Sequence, residues 1–381
     1  MEKKSHLEAL APAFSRKNVP IVLCCSEYYS LYCAAYLQSL TCYISADCGY
    51  DIIIFTKDIS EDSQQELCDI GRPYPNLSIR FVDINPYIAR YVFQAHSHFG
   101  IESYFRLLIP YILTNYDKAY YFDCDMVLRQ DVAELRRVPL GNAYLAGCLD
   151  TVIIGAINDP ADQSFGPGRS WMMYCLETLN MKNPYTYLNS GVLIFNLRRF
   201  RQDFTVDQIL DFAQKKQFYL LDQDALNALC STDVVILEHA WNMTNNNGNG
   251  KISYILKSPV EIAQTYFDAR KRPNTVHYAD RFKPWKNPNE DLGYEFWHDA
   301  RNIPHYHRIL GRMSQELYKQ LVGQTSTNHG EQILYLPMGV LKEWKMKLKQ
   351  WSSIFLPYDS IQRKTLKKWY FKMRGWPCSE G

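Results

Sequence analysis

"VPIVLCCSEYYSLYCAAYLQSLTCYISADCGYDIIIFT", residues 19–56, decides the fold. Its two ends, "VPIVLCC" at 19–25 and "YDIIIFT" at 50–56, are apolar runs of strand length, and "YYSLYCAAYLQSL" between them has the composition and spacing of a helix. Apolar runs that are continuous rather than alternating indicate strands buried on both faces, and strand, helix, strand at this pitch indicates a parallel pair. Working outward, "LSIRFVDI" at 77–84 and "KAYYFDCD" at 118–125 extend the series, "GNAYLAGCLD" and "SGVLIFNL" are further strand candidates, and "DQDALNALC" starts a helix. The expected class is α/β, a mostly parallel sheet with helices on both faces.

A chain of 381 residues with 47% hydrophobic and 22% charged residues can bury a large core, which excludes global disorder. Eleven cysteines, an odd number without a Cys-x-x-Cys pair, argue against a disulfide framework or a zinc ribbon. No run of about 18 apolar residues occurs, so the expectation is a reduced, cytoplasmic protein that does not span a membrane. The net charge of +2 divides unevenly: from residue 338 onward ten Lys/Arg stand against three Asp/Glu, a tail of +7, leaving about −5 on the rest. In that tail Leu341, Trp344, Leu348 and Trp351, then Leu366, Trp369, Tyr370 and Met373, recur at helical spacing beside lysines. Short helices apolar on one side and cationic on the other suit the interface of an anionic membrane.

The carboxylates of "YYFDCDMVL", residues 120–128, carry the chemistry. Asp123 and Asp125 follow a buried strand, and ligands of such sheets sit at the carboxyl ends of the strands. On a regular strand residues i and i+2 project the same way, so the two acids repel unless a cation lies between them. Mg²⁺ or Mn²⁺, bound by one or two carboxylates plus substrate phosphates, meets that need. As a bare tripeptide, Asp-x-Asp reads more readily as a turn or helix cap than as a metal site.

Three later blocks, "YLNSGVLIFNLRRF" at 187–200, "LLDQDALNALC" at 220–230 and "VHYADRFKPW" at 276–285, follow in an order that resembles glycosyltransferase family 8, from about residue 20 to 286. The resemblance implies a GT-A, Rossmann-like domain and a retaining transfer of galactose or glucose from UDP-galactose or UDP-glucose. It implies Mn²⁺, with Mg²⁺ as the alternative, on Asp123, Asp125 and His277, and Lys283 on the diphosphate. Cys25, Glu27 and Tyr29 fall where the family holds the nucleotide, His98 and Arg106 where it contacts the donor, and Cys124 between the two acids. Asn189, Ser190, Asp222, Gln223 and Asp224 would line the sugar, with Asp150 near the donor sugar and acceptor. An amide, Gln223, stands where a covalent mechanism would need a nucleophile, so Gln223, Asp222 and Asp150 are the expected catalytic residues of a front-face transfer. Asp280 replaces a glycine of the family pattern.

The expected layout is an extension at 1–18, a catalytic domain at 19–322, with its donor half to about 150, a linker at 323–337 and a membrane-associating tail at 338–381. The expected acceptor is a lipid-linked oligosaccharide, lipopolysaccharide or lipooligosaccharide core, at the inner face of the cytoplasmic membrane. The competing readings are a glycogenin-like transferase that glucosylates a protein tyrosine, and a non-catalytic UDP-sugar-binding protein. Nucleic acid is not expected, because the body is slightly acidic and shows no nucleic-acid module.

Overall fold

The computed structural model describes residues 10–323 except 94–99, 216–217, 231–232, 247–249 and 280. His98, Asp280 and residues 324–381, with the basic tail and nearly all of the expected linker, therefore lie outside the described residues. In chain order the strands are β1 (Asn18–Cys24), β2 (Gly49–Thr56), β3 (Leu77–Asp83), β4 (Lys118–Asp123), β5 (Met126–Leu128), β6 (Leu145–Leu149), β7 (Leu188–Asn196), β8 (Val234–Ile236), β9 (Met243–Thr244) and β10 (Thr275–His277). They form a seven-stranded sheet of order β3-β2-β1-β4-β7-β6-β8 and a three-stranded sheet of order β5-β10-β9. In the large sheet β1, β2, β3 and β4 pair in parallel, as do β6 and β8, while β7 runs against both its neighbours. The fold is thus the expected α/β arrangement with a mostly parallel sheet.

The apolar runs explain the sheet. Every residue of β2 and all but the first of β1 are buried, and successive side chains serve opposite faces. Val22, Cys24, Ile53, Phe55 and Tyr121 join one core with Tyr104, Phe105, Leu108 and Ile109. On the other face Phe122 meets Tyr36 of α1 (Glu27–Thr41), ring centres 5.9 Å apart. Helix α1 is buried along most of its circumference because it lies against α2 (Glu61–Gly71), β5 and the helix Gly293–Ala300. Ser39 Oγ of α1 accepts from Leu128 N–H at 2.8 Å, tying the small sheet to the large one.

One local expectation is corrected. "KAYYFDCD" was expected to run as one strand to Asp125, but β4 stops at Asp123. The ladder to β1 ends at the pair Cys24 and Asp123, and the ladder to β7 ends at Phe122 and Val192, so the backbone beyond has no partner in the large sheet. It finds one in the small sheet: Tyr278 N–H donates to Asp125 O at 3.0 Å, and Met126 pairs with His277. The obligation to satisfy backbone groups bends the chain between its two acids.

The chain divides into two units between Ile303 and Pro304, and the second contains the helix Tyr306–Gly323. Among the described residues no helix is long and apolar enough to cross a membrane.

Candidate active site

The strand order turns at β1 and β4, which lead to opposite sides of the sheet, and a cleft of about 740 Å³ opens at their carboxyl ends. That is where open α/β sheets bind ligands. β4 brings Asp123 to it, and β6 leads into Asp150, which also lines the cleft. Because β7 is reversed, its first residues rather than its last reach this end, and so Asn189 and Ser190 line the cleft as well. The helix Leu221–Cys230 adds Asp222 and Gln223. Its first residue, Leu221, is buried with a left-handed φ of 50°. A non-glycine residue in that region costs on the order of 1 kcal/mol or more, a strain held by the bonds that fix this helix start.

From the small sheet β10 brings His277. Its Nε2 lies 3.5 Å from Asp123 Oδ2 and 3.4 Å from Asp125 Oδ1, and one ligand atom from each of the three residues falls within 4.8 Å of the others. Two carboxylates and an imidazole converge in a partly buried place, a donor set suited to Mn²⁺, Mg²⁺ or another divalent cation. Lys283, almost fully buried, donates to Asp125 Oδ2 and to Tyr278 O, both at 2.5 Å. Burial raises the Asp125 carboxyl, but Lys283 and His277 outweigh it and hold the group well below the usual carboxylate range.

Asp123 has a different cation. Arg106, itself buried, places Nη2 3.0 Å from Asp123 Oδ1, donates from Nη1 to Ser190 O at 2.5 Å, and lies over the Tyr121 ring with its Cζ 4.4 Å from the centre. Its Nε is 2.9 Å from Asp222 Oδ2, yet the Nε–H goes to Ser103 O at 2.9 Å. Asp222 therefore feels the guanidinium charge without that hydrogen bond, and burial pushes its carboxyl up to about 6 against the pull of Arg106. Tyr121 OH donates to Asp123 Oδ1 at 2.5 Å.

The wall formed by Asp150, Asn189, Ser190 and Gln223 is closed on itself. Asp150 Oδ2 accepts from Asn189 Nδ2 at 3.0 Å and Gln223 Nε2 at 3.1 Å, while Gln223 Oε1 accepts from Ser190 N–H at 2.9 Å. Gln223 is fixed in orientation from both ends of its amide.

Three expected residues do not line the cleft. Cys25 is buried beside Cys124 and Cys33, where burial pushes its thiol up, and Cys24 takes the cleft position instead. Glu27 accepts from Ser60 N–H at 2.9 Å and Ser63 Oγ at 2.8 Å, so its carboxylate holds the start of α2. Asp224 is buried under the wall, accepting from Tyr187 OH, from Tyr174 OH at 2.7 Å and from Leu220 N–H at 2.7 Å. Cys124 does line the cleft, and so does Tyr29. Tyr29 is half-buried, edge-on to Trp285 at 6.2 Å, and Trp285 in turn stacks on Tyr32 at 4.2 Å.

Several cleft residues carried no sequence signal. Lys251 and Lys286 line the cleft, and Asn242, which is not part of that lining, holds its Oδ1 2.8 Å from His277 Nδ1. Gly191 was legible only as part of "NSGV": a Cβ there would lie 2.5 Å from His277 Cε1, so a side chain cannot be accommodated behind the ring.

General stress protein A of Bacillus subtilis (strain 168) is 22% identical over 299 residues, 74% of this chain and 96% of that protein. The lipopolysaccharide 1,2-glucosyltransferase of Escherichia coli is 26% identical over 238 residues, 59% of this chain and 63% of that protein. The apo structure of the bifunctional glycosyltransferase WbbM superposes with a TM-score of 0.72 at 29% identity over 80% of this chain, which spans about half of that longer protein, 53%. The profile of Glycosyl transferase family 8 matches residues 20–288, well over half of the chain and all the cleft residues named above. The chain therefore belongs to glycosyltransferase family 8, and it is a glycosyltransferase.

Proposed function

We propose that the chain is a retaining, metal-dependent transferase that moves galactose or glucose from a UDP-sugar to the glycan of a lipid-linked acceptor, a lipopolysaccharide or lipooligosaccharide core. The observation that carries the reading is the convergence of Asp123, Asp125 and His277 with Lys283 in one cleft at the carboxyl ends of β1 and β4. A divalent cation held by the three donors would supply Lewis-acid neutralisation of the charge building on the departing UDP. Lys283 adds a second positive charge at the diphosphate, and Arg106, occupied by Asp123, Asp222 and the Ser190 carbonyl, keeps the acid bearing the first donor atoms in place.

Asp150, Asn189 and Gln223 hold the sugar. Retention follows from attack on the same face from which UDP leaves: the bond from the anomeric carbon to phosphate oxygen breaks, the bond to the acceptor oxygen forms, and the acceptor proton passes to the departing phosphate oxygen. Gln223, an amide tied to Ser190 and Asp150, orients the reacting sugar and offers no competent nucleophile. The lipopolysaccharide acceptor draws support from the name of the Escherichia coli relative. Residues 338–381, with their excess of lysine and tryptophan, would hold the enzyme at an anionic membrane.

The test is UDP release from UDP-galactose and from UDP-glucose, each with Mn²⁺ and with EDTA. Turnover of one donor that EDTA abolishes supports the reading and chooses the sugar. Metal-independent turnover of either donor overturns it. Gln223→Ala should lower kcat about 10–100-fold and leave a measurable remainder; total loss with donor binding intact would favour a covalent intermediate instead.

A further inference from the structure

A line of hydrogen bonds runs from the sugar-side wall to the imidazole, and its direction can be read without seeing a hydrogen. The Asp150 carboxylate only accepts, so the Asn189 atom 3.0 Å from it is the donating Nδ2. Asn189 Oδ1 is then the acceptor of Gly191 N–H at 3.0 Å, as a backbone amide requires. The 2.7 Å contact from Asn242 to that same Oδ1 must be a donation by Asn242 Nδ2. Asn242 is left with its Oδ1 2.8 Å from His277 Nδ1, so Nδ1 carries a proton. Nε2 is the atom facing Asp123 and Asp125.

We propose that Asn242 is a positioning residue: oriented by Asn189 and Asp150, it fixes the His277 ring and keeps a proton on Nδ1, turning Nε2 toward the carboxylate pair and the place a cation would take between them. Both side chains are buried, Asn242 6% and His277 4% exposed, so water does not substitute freely for the amide. Gly191 closes the other side of the ring, leaving the imidazole little freedom to turn. One consequence follows for the wall: the residues that line the sugar pocket and the residue that would bind the metal share one hydrogen-bond line, so a change at Asn189 is felt at His277. The importance of this for metal binding rests on the function proposed above; the Nδ1 proton itself does not.

Two measurements separate the two. In metal-free, ¹⁵N-histidine-labelled protein at mildly alkaline pH, the His277 signals, assigned among the nine histidines with His277→Gln, should show a protonated Nδ1. Asn242→Leu should lose that signature, Asn242→Asp should keep it because a carboxylate accepts from Nδ1–H, and Asn189→Ala should give a mixture. A pure Nδ1–H signature in folded Asn242→Leu overturns the proposal. If Asn242→Leu does not fold, Asn189→Ala decides in the same way. Titration with Mn²⁺ should then show binding weakened about 10–100-fold in Asn242→Leu and restored in Asn242→Asp. Equal weakening in both would mean that Asn242 only packs. Absence of Mn²⁺ binding by the wild type would sink the metal reading while leaving the Nδ1 proton test in force.

Discussion

Asp123 and Asp125 are neighbours but one in the sequence, yet they live in different sheets. Asp123 closes β4 of the large sheet and is neutralised by Arg106, a buried guanidinium with a second carboxylate, two carbonyls and a ring as its other partners. Asp125 leads into β5 of the small sheet and is neutralised by Lys283, a single ammonium that also donates to one backbone carbonyl and lies 5.9 Å and 5.8 Å from the centres of the Tyr29 and Trp285 rings. The first pairing is part of the architecture, since guanidinium fork geometry serves several acceptors at once, whereas the second is a point charge that can follow a ligand. By this measure the wall held by the guanidinium fork is the rigid one and the wall held by the single ammonium the adjustable one, with residues 123–125 between them.

The sharpest way to break the contrast is to remove each cation. Arg106→Met leaves the half-buried Asp123 and the buried Asp222 without their partner and should cost about 3–5 kcal/mol in urea unfolding, a loss that Mn²⁺ repairs only in part because Asp222 stays unpaired. Lys283→Met should cost less, and Mn²⁺ should recover most of it, since the metal takes over the neutralisation of Asp125. Recovery by Mn²⁺ to the same extent in both variants would contradict the distinction between the walls.

Asp125→Ala should then reduce metal-dependent UDP release by about 10²–10³-fold, the several kcal/mol expected of a Lewis acid, and it should also lower the thermal midpoint, because Lys283 is left buried without its carboxylate. A smaller effect is expected where the walls meet. Gly191→Ala drives a methyl into the His277 ring and should destabilise by about 1–3 kcal/mol and weaken Mn²⁺ binding, read by calorimetry on one sample. Unchanged metal affinity would show that the ring moves without consequence.

The smallest effect is a pH dependence of the rigid wall. Asp222 titrates at about 6 in the fold, and an unfolded aspartate at about 3.9. The folded-state value is the raised one, so the stability contributed by its protonated form is complete below pH of about 4 and is lost as the pH rises through about 6. Asp222→Asn should flatten that part of the stability profile between those two values. An unchanged slope would mean that Arg106 keeps Asp222 ionised throughout.

The rigid wall was also the legible one. "VPIVLCC" and "YDIIIFT" announce two-sided burial, and the carboxyl-end rule then points to Asp123 before any partner is known. The adjustable wall was readable only through "VHYADRFKPW" and its resemblance to a family, because β5, β9 and β10 have three, two and three residues, too few to show a period. Asn242 was hidden in "NMTNNNGNGK", where turn composition masks a residue set by tertiary contact. Glu27 and Asp224 misled for the opposite reason: each is an acid next to cleft residues whose carboxylate is consumed by a helix start, and spacing cannot tell a cap from a ligand contact. Leu221 gave no sign of its left-handed backbone, since leucine is ordinarily helical.

The most direct test of the site where the two walls meet is anomalous diffraction from crystals soaked with MnCl₂ and UDP. One strong manganese peak within bonding distance of Asp123, Asp125 and His277, with the diphosphate against it and against Lys283, is the predicted result. A diphosphate bound in the cleft with no manganese between the two sheets would contradict the account.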